Sequence, residues 1–499
     1  MAILLGIDAN TEEPTKVFLT PQARYLGTYV IGTTGTGKTT FLKSLILQDI
    51  QAGEGVCVLD PHGDLIEDLL ACMPNERVGD TILFDPADIE YPLGLNIFTC
   101  DRSDPRQRDL VTSTVMDTLY KLFYMSWGPR MEDLLRHSIQ TLLYEPNTTF
   151  LELLMILTDY ERRQTLRQAA CAIDPVLRHF WEQQFPESRH DQYGRLVAPK
   201  EQTELIGSSL NKIGRFLVNP VVRNIIAQPT NSFNLRSVMD EGKILLVNLS
   251  KGSIGADNSS FLGSVLVNQL LLAALSRRDV PPANRRPFYL YVDEYQNFAT
   301  ESFPQLQSEA RKFAIVTTVA HQYRDQLDES NRGSTLNVAN LMVFRVSGKD
   351  AVELAGQFDN TPYEHPAHYQ PVLTGLDNNL FVPIQTAGSN TPLYRELPGM
   401  RETYSDTHLE TANILATLPQ HQAIMRVMDS QSRELKQYRV QALPVSCAPN
   451  EQKAAHIREQ SRRLTRPLSE VTPDIQRRMS SATPLTPASF VDWREFEGE

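Results

Sequence analysis

The sequence predicts an α/β fold: a largely parallel sheet covered by helices, interrupted by an all-helical insertion. Three observations predict it. Short apolar runs alternate with helix-period segments over the first hundred residues, strand signals vanish for the next stretch, and they return beyond residue 240. With 499 residues, the chain is long enough for one large core and an inserted domain.

In order, Arg24–Ile31 is a β-rich run and a Gly/Thr loop follows it. Thr39–Gln51 then places Phe41, Leu42, Leu45, Ile46 and Ile50 at helical spacing. Gly55–Asp60 and Asp80–Phe84 read as buried strands. From 101 to 229 the periodicity is helical throughout, as in Leu110, Val111, Val115, Leu119, Leu122 and Phe123, so this stretch is the all-α insertion. Strands resume at Lys243–Leu249, Phe288–Asp293, Ile315–Ala320 and Leu341–Val346, with a helix over Ser259–Ser276. The sheet is therefore expected from 1–100 and 230–445, and 446–499 reads as a mobile or partner-binding tail. In that tail Trp493 and Phe496 lie among acids, as a short docking peptide does.

Apolar residues make up 41% and charged residues 22%, an ordinary soluble composition. The cysteines Cys57, Cys72, Cys100, Cys171 and Cys447 are scattered, which argues for a reducing compartment and against disulfides or zinc. The longest apolar stretch, Leu262 to Leu275, is interrupted by Ser264, Asn268 and Gln269 and is too short to span a bilayer. The expectation is a cytoplasmic protein without its own membrane segment, so that any membrane association comes through a partner. A net charge of −12 does not advertise nucleic-acid binding, although a ring needs positive potential only along its channel.

The residues that carry chemistry begin with a G-x-x-x-x-G-K-[ST] match. Gly32, Thr33, Thr34, Gly35, Thr36 and Gly37 let the backbone curl so that N–H groups point at phosphates, ahead of a helix N-terminus. Lys38 reaches the β- and γ-phosphates of ATP, Thr39 ligates Mg²⁺, and Thr40 completes the cradle. The apolar strand ending in Asp293 and Glu294 supplies the other half. Asp293 holds the Mg²⁺ shell and Glu294 polarises the attacking water. If an extra strand lies between these two, Gln322 at its end senses the γ-phosphate, whereas the adjacent His321 reads as structural. Arg311 is a candidate cation for a neighbour's phosphate, with Arg345 as the second candidate.

In that order, the segments IGTTGTGKTTFL, LDPHGDLIEDLL, LNKIGRFLVNP, FYLYVDEYQNFAT, SEARKF and AHQY resemble the HerA/FtsK superfamily. Within it, the resemblance is to the coupling ATPases of conjugative type IV secretion, the TraG/TraD-like group. It implies a RecA-like ATPase domain with an all-α insertion, working as a homo-oligomeric, hexameric ring that pumps DNA. It further implies that Arg311 is an arginine finger and Gln322 a sensor, and that Asp60, His62 and Asp64 lie near the nucleotide pocket. Membrane-bound members carry transmembrane helices ahead of the ATPase domain, whereas here the P-loop begins near residue 30. Two alternatives stand beside a DNA pump docked to a secretion or relaxosome protein. One is a soluble regulatory scaffold that activates an effector such as a nuclease, and the other is a protein pump. Lys251–Ser260 and Trp127–Arg130 are candidate pore loops, and Arg162, Arg163 and Arg167 form a basic cluster.

Overall fold

The computed structural model describes residues 2–10, 13–193, 196–358, 404–430, 432–444 and 447–480, with backbone segments 368–371, 373–377, 380–383 and 394–397. Its centre is an 11-stranded sheet. From one edge the strands run Lys16–Leu19, Ile3–Asp8, Leu435–Gln441, Gln422–Met428, Asn340–Val343, Thr28–Ile31, Ile315–His321, Phe288–Val292, Gly55–Asp60, Ile244–Asn248 and Thr81–Phe84. From Asn340–Val343 to Thr81–Phe84 every pairing is parallel, and the remaining pairings are antiparallel. The predicted α/β class holds, and the expected strands occupy the parallel part within a few residues of their anticipated ends. The antiparallel edge was not foreseen: Ile3–Asp8 and Gln422–Met428 are short apolar runs, only partly buried, and nothing in the sequence places them beside the parallel strands.

Parallel strands buried on both faces need apolar side chains at every position. Gly55–Asp60, Ile244–Asn248 and Phe288–Val292 are buried throughout. Alternation divides them between two cores: Val56 and Val58 pack with helices Lys38–Gln51 and Asp64–Ala71, while Cys57 and Leu59 face the helical layer. The second core is continuous from the sheet through helix Ala256–Ser276 into the insertion, where Leu135, Ile139, Phe150 and Trp181 are fully enclosed.

The insertion is helical, apart from the small strand pair Arg189–His190 and Leu196–Val197. Arg162 and Arg163 are buried, not displayed: Arg163 pairs with Glu187 at 2.7 Å and donates to the carbonyls of Ile156 and Leu157. The basic cluster is thus neither a solvated face nor a phosphate reader.

Three expectations need correction. Residues 451–480 are not a tail. Helix Glu451–Arg462 buries Ala454, Ile457 and Ser461 beside the edge strand, and Ser461 Oγ accepts from Leu83 N at 2.9 Å. Helix Leu468–Ser480 buries Arg478 against Glu152 at 2.6 Å. Their apolar stripe is too narrow to stand out in a charged stretch; Trp493 and Phe496 lie outside the described residues. Cys72 and Cys447 form a disulfide with Cα atoms 5.7 Å apart, a pairing that 375 residues of separation conceal. Finally, the segment Ala256–Asp279 is long and apolar enough to cross a membrane by length and composition, contrary to the reading from its polar interruptions. In the fold, 72% of its apolar window is buried, as a core helix beneath the sheet.

Candidate active site

The C-terminal ends of the parallel strands form one rim, and the motif residues gather there. Strand Thr28–Ile31 leads into the loop and on to helix Lys38–Gln51. Gly35 and Gly37 have φ of 77° and 104°, a left-handed backbone that glycine adopts without steric penalty. A side chain on Gly35 would meet nothing within 4 Å, since it borders open space, whereas one on Gly37 would collide with the His421 ring. Thr36 Oγ1 donates to Thr33 O at 2.7 Å, tying the loop to itself. From outside, Arg345 O accepts from Thr33 N at 2.8 Å.

Lys38 is buried and folds back, its Nζ donating to Gly32 O at 2.5 Å and Thr33 O at 3.3 Å. Burial lowers its pKa, against the pull of Glu294 and Asp293. Across the cavity Thr39 Oγ1 faces Asp293 Oδ2 at 3.5 Å. Burial, then the charges of Glu294 and Asp60, push the Asp293 carboxyl up to about 7. A hydroxyl and a carboxylate facing each other, where Asp293, Glu294 and Asp60 outnumber the single Lys38, are the donor set a hard divalent cation takes.

Glu294 occupies the left-handed region, with φ 45° and ψ 51°. Both of its carboxylate oxygens are held: Gln322 Nε2 donates to Oε1 at 2.9 Å and Gln296 Nε2 to Oε2 at 2.7 Å. Gln322 Oε1 in turn accepts from Thr34 Oγ1 at 3.1 Å, so an amide bridges the P-loop and the acidic turn. This geometry follows from topology, because strand Ile315–His321 lies between the P-loop strand and the acidic strand. His321 is buried, stacks on Tyr29 and is kept neutral by burial, its pKa down at about 3.

The cavity, about 280 Å³, is lined by Thr34, Gly35, Gly37, Lys38, Thr39, Thr40, Asp293, Glu294 and Gln322, together with His62, Gln420 and His421. Gln420 and His421 escaped sequence reasoning. They come from the turn before the antiparallel strand Gln422–Met428, and no motif marks them. Asp60 is turned to structure: it accepts from His62 N at 2.8 Å and Leu65 N at 2.9 Å, anchoring helix Asp64–Ala71, whose Asp64 is exposed. Arg311 is exposed in the turn Ala310–Phe313, at the opposite end of strand Ile315–His321 from Gln322, and so is not in this chain's cavity. Lys251 is not on a loop; helix Lys251–Ile254 carries it to Asn297. Of the other pore candidate, Gly128 precedes the first turn of helix Pro129–Leu142, which contains Arg130.

Sheet order, glycine loop and paired acids define the class of P-loop NTPases with a RecA-like sheet. Within that class, residues 28–269 match the family model of the helicase HerA central domain, in agreement with the resemblance the motifs carry. Among solved structures, the plasmid coupling protein TrwB in complex with ADP and Mg²⁺ aligns with a TM-score of 0.55 at 16% identity, over 91% of this chain and 97% of that one. The unbound bacterial conjugative coupling protein TrwB aligns with a TM-score of 0.54 at 17% identity, over 87% and 89%. VirB4 of Thermoanaerobacter pseudethanolicus aligns with a TM-score of 0.51 at 12% identity, over 89% and 96%. No curated protein sequence matches significantly.

Proposed function

We propose that the protein binds ATP and Mg²⁺, hydrolyses the nucleotide and uses the energy as a ring-forming DNA translocase of the type IV secretion coupling kind. The observation that carries the reading is the Glu294–Gln322–Thr34 bridge, which joins an acid placed to polarise water to the loop that cradles phosphates. Gly32 to Thr40 would hold the phosphates, with Lys38 swinging from the loop carbonyls toward them. Thr39 and Asp293 would hold the cation, which when bound offsets charge on the phosphates. Gln322 exchanges its Thr34 contact for the γ-phosphate and so reports to Glu294 whether that phosphate is present.

Arg311 belongs, in this reading, to the neighbouring subunit's site, consistent with its exposure away from its own cavity. Six copies in a ring place it there, with DNA in the central channel. The TrwB complex with ADP and Mg²⁺ supports the choice of nucleotide and cation, and the coupling-protein likeness supports the cargo and recruitment to the inner membrane.

The deciding experiment measures ATP turnover of the full chain with and without single- and double-stranded DNA, alongside its mass in solution. Oligomers whose turnover rises with DNA are expected. Turnover that ignores DNA, together with no DNA binding, would remove the translocase reading. It would leave the scaffold that activates an effector, which the net charge of −12 favours.

A further inference from the structure

We propose that Asn297, with Lys121 and Lys251 converging on it, positions Glu294 and makes turnover depend on the helical insertion. The inference rests on Glu294 being the residue that activates water.

A left-handed glutamate is strained, and it stays there only where its surroundings over-determine it. What does so is Asn297. Its backbone N donates to Glu294 O at 3.0 Å and its side-chain Nδ2 to the same oxygen at 2.8 Å. Asn297 is itself fixed by two lysines from different segments. Lys251 Nζ donates to Asn297 Oδ1 at 2.7 Å. Lys121 Nζ, near the end of insertion helix Pro105–Phe123, donates to Asn297 O at 2.6 Å and to Ser264 Oγ at 3.2 Å. Ser260 Oγ adds a contact to Asn297 O at 2.9 Å.

Neither lysine forms an ion pair among the described residues. Lys121 feels the charge of Asp328 and the half-buried Lys251 that of Glu294, but neither pairs directly with a carboxylate. Here both ammonium groups are directed at one asparagine, three residues past the acid. Lys121 is also a point where the insertion hydrogen-bonds the acidic turn. A shift of helix Pro105–Phe123, such as cargo or a neighbouring subunit could drive, would loosen Asn297 and release Glu294 from its left-handed position.

The test compares steady-state ATP turnover and equilibrium binding of a fluorescent ATP analogue in full-length variants, with thermal unfolding as a control. Lys121→Met and Asn297→Ala should each lower kcat on the order of 10- to 100-fold, the scale of a misplacement of about 1 Å. Nucleotide affinity should stay within about twofold, since the P-loop is untouched, and Lys121→Arg should recover part of the loss. In a Glu294→Gln background, Lys121→Met should remove nothing further, because it acts only through that acid. A loss that multiplies in the Glu294→Gln background, or weakened binding matched by a fall in melting temperature, would overturn the positioning role. Normal turnover in Glu294→Gln alone would instead overturn the reading of Glu294, and the proposal with it.

Discussion

The P-loop and the acidic turn face each other across one cavity, yet they are held in opposite ways. The loop's left-handed positions are glycines, and Thr36 and Lys38 bond to carbonyls of the loop itself, while Arg345, Gln322 and His421 tie it to its neighbours. The acidic turn puts a glutamate where glycine would be at ease, and its fixings arrive from Gln322 and from Lys121, which is 176 residues from Asn297 in sequence. A loop whose left-handed positions are glycines needs no outside contact to relieve strain and tolerates distant change. A turn held from a distance responds to it, so regulation belongs on the acidic side and nucleotide capture on the other.

That division is sharpest in Glu294→Gln. The amide keeps the size of the side chain and removes the base, so kcat should fall by about 10²- to 10⁴-fold while nucleotide binding persists. Burst and steady-state phosphate release, with parallel binding measurements, check it. Turnover at the parental rate would mean that the acidic turn is only structural, and the contrast would collapse.

The complementary change is Lys38→Ala. Losing a charge-assisted bond of about 1.5–3 kcal/mol should weaken ATP affinity on the order of 10- to 100-fold, as read by isothermal titration. Because Lys38 donates to Gly32 and Thr33 before any phosphate arrives, a modest drop in melting temperature is also expected. Unchanged affinity would show that the glycine cradle alone captures the triphosphate.

The same contrast explains what could be read from the chain. Gly32 to Thr40 is a contiguous pattern with a local cause, and the uniformly apolar parallel strands announce burial on both faces, so both were legible. Gln322 was legible only conditionally, because its position depends on a strand order that no single segment encodes. His421 and the Lys121–Asn297 contact were not legible: each joins residues from distant segments and has no periodicity to mark it. The helices between 451 and 480 were lost for another reason. Their buried faces rest on few residues, among them Ala454, Ile457, Val471 and Ile475, and Arg478 enters the core only because Glu152 awaits it.

His321 lies at the seam of the two regions and yields the smallest predicted effect. Its Nε2 is 2.5 Å from Tyr29 Oη, on the P-loop strand, and its ring meets Tyr295, in the acidic turn, edge-on. Burial first, then the charges of Arg324 and Lys38, take its pKa from 6.5 down to about 3. The unfolded chain therefore binds a proton that the folded chain refuses in that interval. The stability this group contributes is complete above its unfolded value and drains away as pH falls toward its folded value, at about 1.4 kcal/mol per pH unit. Between pH 6.5 and about 5.5 this group's share of the loss should be about 1 kcal/mol; Asp293, with its raised pKa, works in the opposite direction, so the His321 share is read as the difference between parent and variant. His321→Gln, which keeps a partner for Tyr29 and cannot titrate, should remove that part of the slope when melting curves are compared across the same interval. An identical slope in the variant would place the titrating group elsewhere and leave the seam without a role in coupling the two halves of the cavity.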